Sequence, residues 1–174
     1  LLGHHRDVAT FEDPATARLG ESLYGFFQRS VPGAIAGACK FEAHRLRRSG
    51  HPVWSAHNRL LRYSVLVAVI YGMFFAFFGC AGVAFPAIQG VAAVFSLAAM
   101  NYVQHYGLQR CVAEDGSYGP VGDSHSWDTN HLVSNLLMLN LGYHSNHHLC
   151  AAKSLGEHGI PRGPQLLPFG YFAL

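Results

Sequence analysis

No lysine, arginine, aspartate or glutamate occurs between Tyr63 and Gln109. A soluble helix keeps charged residues on the face turned away from its core, so a stretch this long without charge rules out most soluble architectures. A bilayer core takes about 20 apolar residues per helix, which leaves room here for two spans. Residues 79–86, "GCAGVAFP", supply the turn signals. They predict transmembrane helices over residues 61–78 and 83–102, joined as a hairpin. A buried hairpin of a soluble protein is the competing reading, and the lack of charge on every face disfavours it.

Composition agrees. Half of the 174 residues are hydrophobic and 13% are charged, against about 25% charged in soluble domains. That balance fits a membrane protein with polar segments outside the bilayer. A net charge of +2, with no basic stripe carrying interleaved aromatics, gives no reason to expect nucleic acid as a partner. The cysteines Cys39, Cys80, Cys111 and Cys150 are scattered, so neither a disulfide framework nor a zinc ribbon is indicated. Arg45, Arg47, Arg48, Arg59 and Arg62 precede the apolar stretch and Arg110 follows it. The positive-inside rule then puts both ends on the cytoplasmic side, in a multi-pass inner-membrane protein. The sequence opens without Met and closes on "LLPFGYFAL", and reads as an internal fragment of a longer protein.

The expected fold class is all-α, a piece of an integral membrane helical bundle. Residues 1–60 form one cytoplasmic segment, 61–103 the transmembrane hairpin and 104–174 a second cytoplasmic segment. In the first segment, "HHRDVATFEDPATAR" reads as a loop or irregular segment, with Asp13-Pro14 as a turn or a helix start. "ATARLGESLYGFFQRSV" has an amphipathic helical pattern, and "AGACKFEAHRLRRSG" reads as a basic helix ended by Gly50 and Pro52. In the last segment a helix is expected over 129–149. Its Leu132, Val133, Leu136, Leu137, Leu139 and Leu141 would pack one broad apolar face. The tail "IPRGPQLLPFGY" reads as irregular.

The chain has twelve histidines, and their placement carries the chemistry. On a helix, His144, His147 and His148 stand at i, i+3 and i+4, which share a face. Imidazoles at that spacing reach a single metal ion with bonds near 2.0–2.1 Å. His4 and His5 are adjacent and point to different sides, so they suit the two members of a metal pair. His105 lies at the cytoplasmic end of the second predicted span, and ionisable groups at membrane depth tend to be functional. His125 and His131 are further ligands or hydrogen-bonding partners of ligands. Asp128, Asp123 and Gln104 are candidates for orienting the imidazoles. His44, His51, His57 and His158 read as surface residues. An imidazole-rich set suits zinc, copper, iron or nickel. So many histidines exceed what one zinc needs, which favours two metals, with iron preferred for redox work.

The segments "GHHRDVATFEDPATARLGES", "NYVQHYGL" and "HSWDTNHLVSNLL…YHSNHH", in this order, resemble the histidine boxes of the membrane-bound alkane 1-monooxygenases, within the integral-membrane fatty acid desaturase and hydroxylase superfamily. "RRSGHPVWSAHN" and "LPFGY" extend the resemblance over nearly the whole chain. It implies a non-haem di-iron centre held by nine histidines on the cytoplasmic face, with O₂ as co-substrate. It also implies an alkane substrate, oxidised to a primary alcohol with electrons from rubredoxin and an NADH-dependent rubredoxin reductase. Matched motif by motif, His4, His5, His105, His144, His147 and His148 are six of the nine ligands, and the other three belong upstream of Leu1. The fragment alone is therefore expected to be inactive. Phe74, Phe75, Phe78 and Phe95 are candidates for lining a substrate channel.

Three sites depart from the family pattern. Phe11 stands in "ATFEDPA" where Pro is usual. Gln104 replaces the Glu of "EHYGL". "LGYHSNHH" carries Gly142, Tyr143 and Asn146 in place of Gln, Arg and Asp. Within the same superfamily, an aryl-methyl monooxygenase of the xylene type or a fatty acid desaturase or hydroxylase is the alternative. A non-enzymatic membrane protein binding haem or storing metal is a further one, though an HxxHH spacing does not favour haem.

Overall fold

The computed structural model of the chain describes residues 2–150 and 165–171. His158 and part of the tail read as irregular lie outside them. The described elements are helical: α1 (Leu2–Asp7), α2 (Leu23–Arg48), α3 (Arg59–His105), a 3₁₀ turn (Asp123–His125), α4 (Leu132–Leu137) and α5 (His144–Leu149). The all-α expectation therefore holds. Two isolated bridges, Val112 with Tyr118 and Asp128 with Leu166, are the β pairing among the described residues. The chain divides into two compact units, one of Pro32–Leu97 and one of Leu1–Val31 with Ala98–Leu174.

Several boundaries differ from expectation. The "HHRDVAT" stretch starts as a helix and becomes irregular only after Asp7. α2 begins at Leu23, later than the amphipathic pattern implies. Asp13 takes the Ala15 N–H (3.0 Å) and the Thr16 hydroxyl (2.6 Å), and Glu21 takes the Arg18 N–H (3.0 Å). Side chains that capture nearby backbone donors in this way compete with helix formation. The expected helix over 129–149 is two short helices, because Leu139 and Asn140 adopt left-handed φ values of 52° and 65°. Its apolar face is also corrected. Leu132, Val133, Leu136, Leu137 and Leu139 are exposed, whereas Ser134 and Asn135 are buried.

In the unit of 32–97, the basic end of α2 is tied to the start of α3. Glu42 accepts two hydrogen bonds from the Arg45 guanidinium (2.7 and 2.8 Å) and one from the Arg59 N–H (2.6 Å). The Arg45 bonds, then that from Arg59, hold the Glu42 carboxyl down at about 2. Asn58 caps α3 by accepting the Leu60 and Leu61 N–H groups. α3 departs from helical geometry only at Gly79 (φ 62°, ψ −150°), a region open essentially to glycine. The break is thus one residue rather than all of 79–86, and Pro86 lies within the helix. A straight helix of 47 residues would run about 70 Å, well over twice a 30 Å hydrocarbon core. The bend at Gly79 leaves a stretch of membrane-spanning length on each side. The turn is sharp: a Cβ on Gly82 would overlap the Phe74 carbonyl oxygen and come 2.7 Å from the Phe78 Cβ. α3 is long and apolar enough to cross a membrane, and only 6% of its most apolar window is buried.

In the other unit, Ala17, Phe26 and Ala98 form a small apolar core, with Phe27, Tyr102 and Tyr106 packed against it. The Tyr102 hydroxyl donates to the Glu21 carbonyl (2.6 Å), and the Gly107 N–H donates to the Ala17 carbonyl (3.0 Å). Arg110 clamps the same region, donating to the Arg6 carbonyl from its side chain (2.8 Å) and to the Ala9 carbonyl from its backbone (2.8 Å). These bonds bring α1 to the C-terminal end of α3.

Candidate metal centre

Three elements remote in sequence deliver the histidines: α1 carries His4 and His5, the end of α3 carries His105, and α5 carries His144, His147 and His148. α5 is held in place from afar. Asp128 accepts the Ser145 N–H (2.8 Å) and the Ser145 hydroxyl (2.5 Å), satisfying a donor that the first turn of α5 leaves without an intrahelical partner. Asp128 is itself located by the end of α3. The neighbouring Trp127 donates its backbone N–H to the Gln104 carbonyl (2.8 Å) and its indole N–H to the Tyr106 carbonyl (3.0 Å). Tyr171 donates to the Trp127 carbonyl (2.7 Å). Burial pushes the Asp128 carboxyl up, against the opposing pull of the Ser145 bonds.

One nitrogen from each of His4, His105, His144 and His148 lies within 4.8 Å of the other three. His105 and His144 are fully buried or nearly so, and His148 is buried. The Nε2 atoms of His105 and His144 are 3.0 Å apart, as are those of His144 and His148. His5 and His147 adjoin this group. The His5 ring centroid is 4.7 Å from that of His147 and 4.8 Å from that of His148, and His144 and His147 are 5.6 Å apart.

The protonation logic of the pocket follows from its hydrogen bonds. Asp13 Oδ2 is 2.8 Å from His4 Nδ1, and the His125 carbonyl is 3.2 Å from His105 Nδ1. Both oxygens only accept, so each Nδ1 carries the proton and each Nε2 presents a lone pair when the imidazole is neutral. His4 Nε2 is buried without a hydrogen-bond partner. His144 Nε2 faces two other nitrogens at once, and a single ring nitrogen cannot satisfy both by hydrogen bonding. Lone pairs therefore converge with too few protons between them, and a metal cation fits that donor set. Iron is among the metals that imidazole ligands suit.

Electrostatics favour the form of His5, His144 and His148 that could bind a metal. Burial, followed by the charges of its neighbours, pushes His148 and His144 far below the usual imidazole range. His5 is lowered to about 4 by burial, then by His147 and His4. Neutral imidazole is the form that ligates metal. Burial pushes the Asp13 carboxyl up, but the hydrogen bond and charge of His4 outweigh it and hold the group below the ordinary range.

Asp13 is the residue that sequence reading missed, having been assigned only to a turn or a helix start. Its oxygens are shared among His4, the Thr16 hydroxyl and the Ala15 N–H, so it both shapes the loop and orients the His4 ring. The legible signal was the carboxylate in "EDPAT", followed three residues later by a hydroxyl. Other candidates fall elsewhere. His125 contributes its carbonyl to His105, while its ring accepts the Gly122 N–H (2.8 Å). His131 is exposed and precedes α4. Asp123 opens the 3₁₀ turn. Gln104 is buried and contributes its backbone carbonyl to Trp127. Phe75, Phe78 and Phe95 are exposed, and Phe74 is half-buried with its ring 6.2 Å from that of Phe78. Gly142 has a local reason: a Cβ there would overlap Asn135 Oδ1 and come 2.9 Å from Thr129 Cγ2.

A model of the fatty acid desaturase family matches residues 2–159. The chain is 43% identical over 169 residues to the alkane 1-monooxygenase of Ectopseudomonas oleovorans, covering 97% of this chain and 42% of that protein. It is 44% identical to alkane 1-monooxygenase 1 of Alcanivorax borkumensis over the same shares. A xylene/toluene monooxygenase hydroxylase component of Pseudomonas putida is 28% identical over 147 residues, 84% of this chain and 38% of that protein. The chain thus spans about two fifths of the length of these relatives.

Proposed function

The chain belongs to the fatty acid desaturase family, and from that premise we propose that it carries the histidine-rich part of a membrane monooxygenase. The reaction is hydroxylation of the terminal methyl group of an alkane to a primary alcohol. Its oxidant is O₂, and its electrons come from rubredoxin, reduced by an NADH-dependent rubredoxin reductase. The observation that carries the reading is the convergence of His4, His105, His144 and His148, with His5 and His147 beside them. The names of the relatives supply the substrate class.

Two irons, when bound, would supply the capacity to activate O₂ toward an unactivated C–H bond. The protein's own residues hold and orient. The six histidines offer ring nitrogens, Asp13 and the His125 carbonyl fix the tautomers of His4 and His105, and Asp128 anchors the helix that bears three of them. Burial of His105 and His144 keeps bulk water from those two rings. α3 crosses the inner membrane twice, over 61–78 and 83–102, with the bend at Gly79 between the spans. The arginines flanking the stretch support placing both ends, and with them the histidines, on the cytoplasmic face.

The test uses the full-length protein, expressed with rubredoxin and its reductase, fed octane, and assayed for 1-octanol by gas chromatography. The parent is expected to produce alcohol, and His144→Ala to reduce it by more than about 100-fold with a matching loss of bound iron. A parent that binds iron but oxidises only xylenes or fatty acyl chains would move the assignment to the corresponding branch of the superfamily. An unaltered iron content in His144→Ala would remove the metal centre from the reading.

A further inference from the structure

Where α2 hands over to α3, Trp54, Ser55 and Ala56 form one wall of a shallow apolar groove, and Leu61, Val65, Leu66 and Val69 with Arg62 form the other. Leu61, Val65 and Val69 recur every fourth residue, so they make a stripe along one face of α3. From Leu61 to Val69 that stripe runs about 12 Å down the helix. The loop wall is set by hydrogen bonds. The Ser55 hydroxyl donates to the Pro52 carbonyl (2.8 Å), and the Asn58 side chain donates to the Val53 carbonyl (2.9 Å).

Charge at the groove is one-sided. Arg45, Arg47, Arg48, Arg59 and Arg62 lie within eighteen residues of sequence, and no acidic residue occurs between Glu42 and Glu114. Glu42 is already engaged by Arg45 and the Arg59 N–H. Among the described residues, nothing pairs with the Arg62 guanidinium. Trp54, which lines the same groove, is 84% exposed. An exposed indole beside an apolar helix face is the pattern of a side chain resting at the headgroup layer, and an arginine at a span's end reaches to that layer while its stem stays in hydrocarbon.

We propose that this groove binds an anionic phospholipid. The phosphate sits on Arg62, an acyl chain lies along Val65, Leu66 and Val69, and Trp54 flanks the glycerol region. The site goes beyond the reaction assigned above and rests on that reading only in that α3 crosses a bilayer. An unpaired cation in a surplus of positive charge selects an anionic lipid over a zwitterionic one.

The full-length protein is reconstituted into nanodiscs of phosphatidylcholine with phosphatidylglycerol, and the lipids that stay bound after detergent extraction are counted by native mass spectrometry. The parent is expected to retain phosphatidylglycerol in preference to phosphatidylcholine. Arg62→Gln should lower that preference about fivefold, the amount expected for one basic residue at an anionic surface. Val65→Trp, which fills the groove and keeps the charge, should lower retention of both lipids. Equal preference in the parent and Arg62→Gln would overturn the proposal. So would a cross-link from Val65→Cys to another segment of the same protein, since that segment would then occupy the groove. Failure of the protein to enter nanodiscs at all would instead count against the membrane crossing of α3.

Discussion

One unit of this protein is marked by the polar residues it buries, the other by the apolar residues it exposes. The unit of Leu1–Val31 with Ala98–Leu174 encloses Asp13, Thr16, Gln104, His105, Asp128, Thr129, Asn135, His144, Ser145 and His148, and leaves Leu132, Leu136 and Leu139 outside. The unit of Pro32–Leu97 presents Val65, Val67, Phe75, Phe77, Phe78, Phe85 and Val91 on its surface. Burying polar groups is costly unless each is hydrogen-bonded, and in the first unit most are: Asp128 to Ser145, Asp13 to His4 and Thr16, and Asn135 to the Thr129 carbonyl (2.8 Å). Exposing apolar groups is costly in water and neutral in lipid. The first unit is therefore organised around its site and the second around its solvent. A substitution should read out in metal and chemistry in one and in insertion and helix geometry in the other.

The sharpest test of that contrast is Asp13→Ala. It removes the acceptor that holds His4 in its tautomer, and partners of this kind typically govern 10- to 100-fold in metal affinity or activity. Iron content and alcohol yield of the full-length protein should fall by about that factor while membrane insertion is unchanged. An unaltered iron content would show that α1 needs no such support.

Gly82→Ala should act in the opposite sense. Its Cβ would collide with the Phe74 carbonyl across the bend, an overpacking cost of about 1–3 kcal/mol. The expected result is a lower midpoint in thermal unfolding, with the stoichiometry of bound iron in the folded fraction retained. A variant as stable as the parent would mean that the bend relaxes freely.

Acidification separates the units more gently. The native site holds His5 at about 4, whereas in an unfolded chain it titrates near 6.5. Below about 6.5 the unfolded state takes up a proton that the folded state refuses, so stability falls with pH until about 4, where the native group also protonates. His144 and His148 are shifted in the same direction and add to the loss. Metal-free protein should lose near-ultraviolet circular dichroism from the histidine-bearing unit across that window while the helical signal of α3 persists. Simultaneous loss of both signals would show the two units to be one cooperative structure.

The smallest effect is expected from Phe78→Leu. The side chain is 66% exposed, and swapping one apolar group for another against lipid should change stability by less than about 0.5 kcal/mol. A large drop in alcohol yield with stability unchanged would instead place Phe78 in contact with substrate.

The apolar helix, its break near Gly79, the basic flanks and the i, i+3, i+4 histidines were legible in the sequence because each depends on neighbours within a few residues. Hydropathy, charge and helical periodicity are local properties. Tertiary structure decided the rest. Nothing local marks Asp13 as the partner of His4, Asp128 as the anchor of α5 or the His125 carbonyl as the acceptor for His105, since those bonds form only once α1, the end of α3 and α5 meet. The same holds for the misjudged leucines of α4. Their spacing correctly predicts one apolar face, but only the packed structure shows that the opposite face, with Ser134 and Asn135, turns inward, because Asn135 has a buried carbonyl to satisfy there.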